Sequence, residues 1–313
     1  MSTGLPMTGT VPAPIAWRQM AAITAAAIVI FVALRMLPTG TNLSHMDFRA
    51  TGANSIEFCD PLNPQFISVV AVRSPVTMTL AAAAAAPAAG QERHAVVTLR
   101  TGSGKAIAPA DLMVTHTRLL HLLIVDPTLT DYQHVHPEPG VKPGEWRFAF
   151  TPLRGGTYRI FADFTPAATG RGLYASVDWE LTTGVESPAP PDIEARAGVV
   201  QRAGHRFSLV THPQSLRAGQ PMDLEFAIVR PDGGNVNLQP VMGAYAHLVA
   251  FDEGRNGFAH LHPIDRDPLL APDARQPILK FKLTIPQAGR YAIWAQVNLG
   301  GEEAFVPFRV EVK

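Results

Sequence analysis

The chain repeats itself, and the repeat constrains its fold more than any other feature. AGQERHAVVTLR (89–100) reads against AGQPMDLEFAIVR (218–230), and RFAFTPLRGGTYRIFADF (147–164) against KFKLTIPQAGRYAIWAQV (280–297). In the second pair Phe148, Tyr158 and Phe161 stand opposite Phe281, Tyr291 and Trp294. A repeat of this kind means one supersecondary unit used twice. The unit is roughly 110 residues of short alternating runs, the size and spacing of an immunoglobulin-like sandwich rather than of a solenoid turn.

Strand-like runs in the first half fall at 65–72, 76–81, 94–100, 119–126, 132–136, 146–151, 156–165 and 174–182. The second half gives HRFSLVTH, PMDLEFAIVR, AYAHLVAFD, GFAHLHP, ILKFKLTI, GRYAIWAQVN and AFVPFRVEV in the same order. With 28 Pro and 25 Gly punctuating such runs, many short strands joined by turns are expected. The run from Ala81 to Ala86 ends at Pro87 and reads as a loop, and TGSGK (101–105) as a hairpin turn, since it lacks phosphate-loop spacing. GVESPAPPDIEARAG (184–198) has no periodicity and the composition of a stiff linker. The expected fold is therefore all-β, with two tandem immunoglobulin-like β-sandwich domains, 65–183 and 204–313, joined by a Pro/Ala-rich linker at 184–203.

Upstream, QMAAITAAAIVIFVAL (19–34) carries no charge. Alone it spans about 24 Å as a helix, and Trp17 and a snorkelling Arg35 extend it toward the ~30 Å of a hydrocarbon core. The expected span is 17–37, after a short cytoplasmic N-terminus (1–16) and before a polar connector (38–64). A cleaved secretory signal competes with this anchor, but ALRMLPTG offers no clear small-x-small cleavage site. Both readings export the sandwiches to the periplasm, and the expected anchor holds them at the inner membrane by a single pass.

Charge excludes one class of function. Lys plus Arg and Asp plus Glu both number 26, so no net field recruits nucleic acid. Cys59 is the one cysteine, which rules out a disulfide within the chain, a thiolate zinc cluster and a CxxCH haem attachment. It reads as an idle or packed thiol. No GxSxG elbow, HExxH helix or paired carboxylates suggest catalysis, so no enzyme is expected.

The closest match between the halves is HLLIVDPTLTDYQHVHPE (121–138) against HLVAFDEGRNGFAHLHPI (247–264). His121, His134 and His136 fall opposite His247, His260 and His262, with spacings of 13 and 2 in both. Between them the loops share little beyond Asp126 and Asp252. If Asp126 pairs with Asp131 around PTLT, His121 lies across from His136 and His134 sits two residues back on the same face. Asp252 paired with Gly257 around EGRN does the same for the second set. Cross-strand neighbours have Cβ atoms ~5 Å apart, within reach of imidazoles converging on a cation at ~2.0 Å. A slip of one residue would turn His121 to the opposite face.

Three neutral imidazoles without thiolate suit copper, with zinc as the alternative. His116 and, in the matching slot, Met242 are further candidate ligands, and Asp131, Glu138 and Asp163 are candidates for orienting a ligand ring. The competing reading has no metal: histidines at strand ends bond backbone carbonyls, and an HxHP segment ends a strand at its proline. His45, His94, His205 and His212 fall outside the matched sets.

The HLxxxD(x)7HxHP pattern on exported sandwich units resembles a loose group of largely uncharacterised bacterial secreted proteins of heavy-metal-binding or YtkA-like type, and more distantly the periplasmic copper-resistance protein C. The resemblance covers each domain's central hairpin. It implies an immunoglobulin-like fold, copper or other metal handling, and the same six histidines as ligands. The anchor, the fusion of two domains and the lack of a Met-rich loop set this chain apart from soluble copper carriers. The function expected is a non-enzymatic membrane-anchored metal-binding protein. The alternative is a structural accessory subunit of a respiratory or photosynthetic membrane complex, docked on its periplasmic face.

Overall fold

The computed structural model describes residues 16–36, 43–49, 65–71, 74–82, 90–181, 198–264 and 270–313. Cys59, Leu37, residues 182–183 and residues 184–197 of the linker lie outside them. Among the described residues of the N-terminal unit is the helix α1 (Trp17–Met36). At 20 residues it is about 30 Å long, and its window Trp17–Leu34 has a mean hydropathy of 1.8, so it is long and apolar enough to cross a membrane.

Residues 43–313 are mostly β and build two sandwiches on one plan. The first contains β1 (Val76–Ala82), β2 (Arg93–Thr101), β3 (Leu112–Met113), β4 (Leu120–Val125), β5 (Tyr132–Val135), β6 (Glu138–Pro139), β7 (Glu145–Phe150), β8 (Gly156–Pro166) and β9 (Leu173–Leu181). One sheet has the order β1-β2-β7-β6; in the other, β8 pairs with β3, β4 and β9, and β4 with β5. The second contains β10 (Val199–Arg202), β11 (His205–His212), β12 (Pro221–Val229), β13 (Leu238–Gln239), β14 (His247–Asp252), β15 (Phe258–Leu261), β16 (Ile278–Thr284), β17 (Gly289–Leu299) and β18 (Glu302–Val312). Its sheets are β10-β11-β12-β16 and a sheet in which β17 pairs with β13, β14 and β18, and β14 with β15. The duplication read from sequence is thus a duplication of topology, with β6 and β10 as the additions particular to each copy.

Strand β2 alternates buried and outward residues along its length, as a strand covered on one face must. Val97, Leu99, Trp146, Phe148, Tyr158 and Ile160 fill the first core, and Leu224, Phe226, Phe281, Leu283, Tyr291 and Ile293 the second. β4 and β14 break this pattern. All six residues of β4 are buried, and so are the first five of β14. Leu122 and Ile124 face their own sandwich core, while Leu123 and Val125 join Val249 and Phe251 in a third core between the sandwiches.

That third core is two-fold in character. Leu123, Val125, Tyr132 and Phe161 occupy the positions that Val249, Phe251, Phe258 and Trp294 occupy in the second copy, and all eight meet there. Tyr132 packs on Trp294 with ring centroids 5.8 Å apart, and its counterpart Phe258 packs on Phe161 at 5.2 Å. Hydrogen bonds cross as well: Arg159 Nη1 donates to the Arg255 carbonyl at 2.8 Å and Arg255 Nη1 to the Thr157 carbonyl at 2.6 Å.

Several expectations are corrected. Residues 65–71 form no strand of the first sandwich; they strap across the second. Gln65 and Ile67 bridge to Thr284 and Phe258, and Phe66 enters the second core. Apolar alternation made this segment look like a strand, but its backbone partners belong to the other half. Gly257 is required there, since a Cβ would run into the Ile67 carbonyl. Part of the connector packs on the first sandwich: Leu43 and Phe48 are buried in its core around a 3-10 turn (His45–Phe48), and Lys105 Nζ meets Asp47 Oδ1 at 2.6 Å. Ala81 and Ala82 complete β1 instead of starting a loop, because their amides pair with Val96 and Ala95. Residues 199–202, assigned to the linker, pair with β11.

Candidate metal centre

The two hairpins have the register that the histidine spacing predicts. β4 and β5 pair Leu122 with Val135 and Leu123 with His134, and Asp126 N–H donates to the Asp131 carbonyl at 3.1 Å. β14 and β15 pair Leu248 with Leu261 and Val249 with His260. The two aspartates common to the loops explain why the register holds. Asp126 Oδ1 accepts from Thr130 N (2.7 Å) and Asp131 N (2.8 Å), and Asp252 Oδ1 from Asn256 N (2.7 Å) and Gly257 N (2.9 Å). Each carboxylate thereby satisfies the donors at the far end of its turn. Leu129 and Arg255, at matching turn positions, take φ of 59° and 52°.

The hairpins bring His121, His134 and His136 together, and His247, His260 and His262 together. Within each triad one nitrogen per ring lies within 4.8 Å of the others. Both triads lie on the face that packs against the other sandwich, so they adjoin each other. His134 and His260 have centroids 5.2 Å apart, and His121 and His260 5.7 Å apart. The sequence reading assigned one set to each domain; the structure brings the two triads side by side at the domain interface.

Hydrogen bonding fixes which nitrogen of several rings carries a lone pair. His121 Nε2 faces the Thr115 carbonyl at 3.1 Å and His247 Nε2 the Val241 carbonyl at 2.9 Å. A carbonyl only accepts, so both Nε2 atoms carry protons and both Nδ1 atoms are bare. His134 Nδ1 lies 2.9 Å from Gln296 Oε1, whose amide nitrogen donates to Glu303 at 2.7 Å, and His260 Nδ1 lies 3.0 Å from Asp163 Oδ2. Gln296 Oε1 only accepts, and so does Asp163 in its carboxylate form, which leaves the Nε2 atoms of His134 and His260 bare as well. Bare nitrogens then confront each other: His121 Nδ1 and His134 Nε2 at 3.1 Å, His247 Nδ1 and His260 Nε2 at 3.3 Å. Two lone pairs so close repel unless a cation lies between them. For bonds of 2.0 Å, a tetrahedral site separates its ligands by about 3.3 Å. The third ring of each triad, His136 and His262, buries an Nε2 that has no hydrogen-bond partner among the described residues.

Burial keeps the rings neutral. Desolvation holds His136 down to about 4 and His247 to about 3, and drives His134, His260 and His262 well below the ordinary 6.5. His121 and His116 are lowered for the same reason. Asp163 is raised by burial, against the pull of His121 and His116. Neutral imidazole is the form that ligates.

The secondary candidates fare differently. His116 (φ 49°) and Met242 (φ 51°) occupy the same position in matching turns. His116 does not close on its own triad. Its turn carries it across the interface to stack on His262 at 3.6 Å, while His121 is 6.1 Å away. Asp131 accepts from Tyr158 Oη (2.6 Å) and Leu153 N (2.8 Å), a packing role, and Glu138 is exposed. Asp163 does orient a ring, but in the opposite sandwich. Gln296 does the same in return and was missed, because a neutral amide 162 residues from His134 leaves no local signal. His94 is solvent-exposed beside Glu92 at 3.1 Å. A cleft of about 520 Å³, lined in part by His94, Glu138 and Arg147, reaches His136 from solvent.

Fold and site together define a class: a duplicated β-sandwich protein with one membrane-length apolar helix and paired histidine triads that could hold metal. The chain belongs to the DUF8832 family, described as a domain of unknown function, which matches residues 71–180 and again 201–313. No curated protein matches the chain. Solved structures similar to it include FdeC, an adhesin of Escherichia coli (14% identity, 75% of this chain and 64% of that one, TM-score 0.24). A second is a Corynebacterium diphtheriae protein described as membrane-anchored (9%, 77% and 59%, TM-score 0.24). A third contains the fibronectin(III)-like modules of Clostridium thermocellum CbhA (10%, 75% and 94%, TM-score 0.19). The chain thus spans less than two-thirds of the length of the first two.

Proposed function

We propose that this chain is a non-enzymatic metal-binding protein, anchored by α1 in an inner membrane with its sandwiches in the periplasm, and that copper, with zinc as the alternative, is held by His121, His134, His136, His247, His260 and His262. The observation that carries the reading is the pair of facing bare nitrogens, at 3.1 Å and 3.3 Å, with the opposite nitrogen of each ring committed to an acceptor. Carbonyl, amide and carboxylate acceptors fix ring tautomers in this way around metal ions. Each triad supplies three ligands and leaves further positions for solvent or a transfer partner. A set of imidazole ligands favours Cu(II) or Zn(II) over Cu(I).

Metal analysis of the purified full chain after equilibration with buffered Cu(II) tests this. Two equivalents per chain are expected, falling to one in His134→Ala/His136→Ala and to one in His260→Ala/His262→Ala. A wild-type chain that retains no metal would overturn the proposal.

A further inference from the structure

The duplication places Asp163 and Gln296 at the same position, five residues after Tyr158 and Tyr291 respectively. Each reaches out of its own sandwich to the middle histidine of the other: Asp163 Oδ2 to His260 Nδ1 at 3.0 Å, Gln296 Oε1 to His134 Nδ1 at 2.9 Å. The geometry is reciprocal; the charge is not. An ionised carboxylate behind an imidazole raises its donor strength and offsets part of the charge a cation brings into a low-dielectric site. A carboxamide orients the ring equally well without that charge. Glu303, which holds the amide of Gln296 at 2.7 Å, is one hydrogen bond farther away and exposed, so water and salt screen its field.

We infer that the two triads are unequal: His247, His260 and His262, backed by Asp163 from the first sandwich, take a divalent cation first and more tightly, and His121, His134 and His136, backed by Gln296, take the second. The inference rests on the proposed metal-binding function. Proximity widens the difference, because His134 and His260 lie 5.2 Å apart and a cation in one triad repels a cation entering the other. Asp163 and Gln296 are positioning residues that act through the rings they hold.

Cu(II) affinity, measured in the full chain by competition with a chromophoric chelator, separates the sites. His134→Ala/His136→Ala leaves the second triad, and His260→Ala/His262→Ala leaves the first. The second triad alone is expected to bind about 10 to 100-fold more tightly, the range by which such supporting partners tune a metal site. Adding Asp163→Asn should remove most of that advantage, and Gln296→Glu should strengthen the first triad. The latter gain cannot arise from general loosening of the fold. In the otherwise unaltered chain, Asp163→Asn should bring the two binding steps closer together, which keeps the test independent of whether the double variants fold. Equal affinities, or a tighter first triad, would overturn this inference alone. Failure of the wild-type chain to bind Cu(II) would overturn the metal-binding function and this inference with it.

Discussion

Each hairpin depends on one carboxylate. Asp126 takes donors from Thr128, Thr130 and Asp131, and Asp252 from Asn256 and Gly257. Replacing Asp126 by Ala strands buried N–H groups and is expected to cost about 1 to 3 kcal/mol in chemical denaturation, with Asp126→Asn milder because one oxygen survives. Equal stability of Asp126→Ala and wild type would refute this role. The histidines themselves were readable from sequence, because a strand's period of two, the interval of 13 and 2, and the flanking aspartates leave one register that unites them. Their ring partners were not. Asp163 and Gln296 lie 97 and 162 residues from the rings they hold, and only the docking of two sandwiches brings them there.

At the level of the element, the buried rings set a pH dependence. Folded His136 and His247 are held near 4 and 3, while an unfolded histidine titrates near 6.5. Between those values the unfolded chain binds more protons than the folded one, so stability rises with pH there. The metal-free protein should therefore lose stability as pH falls through 6.5 and continue to lose it to about 3 to 4, which denaturation midpoints across that range would register. A flat profile would contradict the burial of neutral rings. The strap makes a second prediction. Gly257→Ala drives a methyl into the Ile67 carbonyl and should cost about 1 to 3 kcal/mol, with faster proteolytic cleavage near 65–71. The strap's place was not legible, because its backbone partners, Phe258 and Thr284, lie in the other half of the chain. The third core does leave a signal in the sequence: LLHLLIV lacks the polar alternation of β2, and a strand without alternation is covered on both faces.

In the whole molecule, the third core joins the two sandwiches and, through Asp163 and Gln296, both triads. Phe251→Ala should cost about 3 to 5 kcal/mol and weaken Cu(II) binding at both triads, although the rings Phe251 packs on are those of Tyr132 and Phe161. Binding unchanged at both would show that the sandwiches hold their triads independently. Bound metal should raise the melting temperature, since a ligand at 100 times its Kd adds about 2.7 kcal/mol. The reciprocal ring partners also bear on how such a chain arises. A lone sandwich of this plan carries a triad whose central ring is oriented by a residue it can find only on a second copy of itself. The repeating unit thus has the kind of self-complementary face that a symmetric homodimer would use. Joining two copies in one polypeptide replaces an association that dilution would undo with one at fixed effective concentration. It also frees the two halves to diverge, so that one could keep a carboxylate where the other has an amide, a difference no symmetric homodimer can encode.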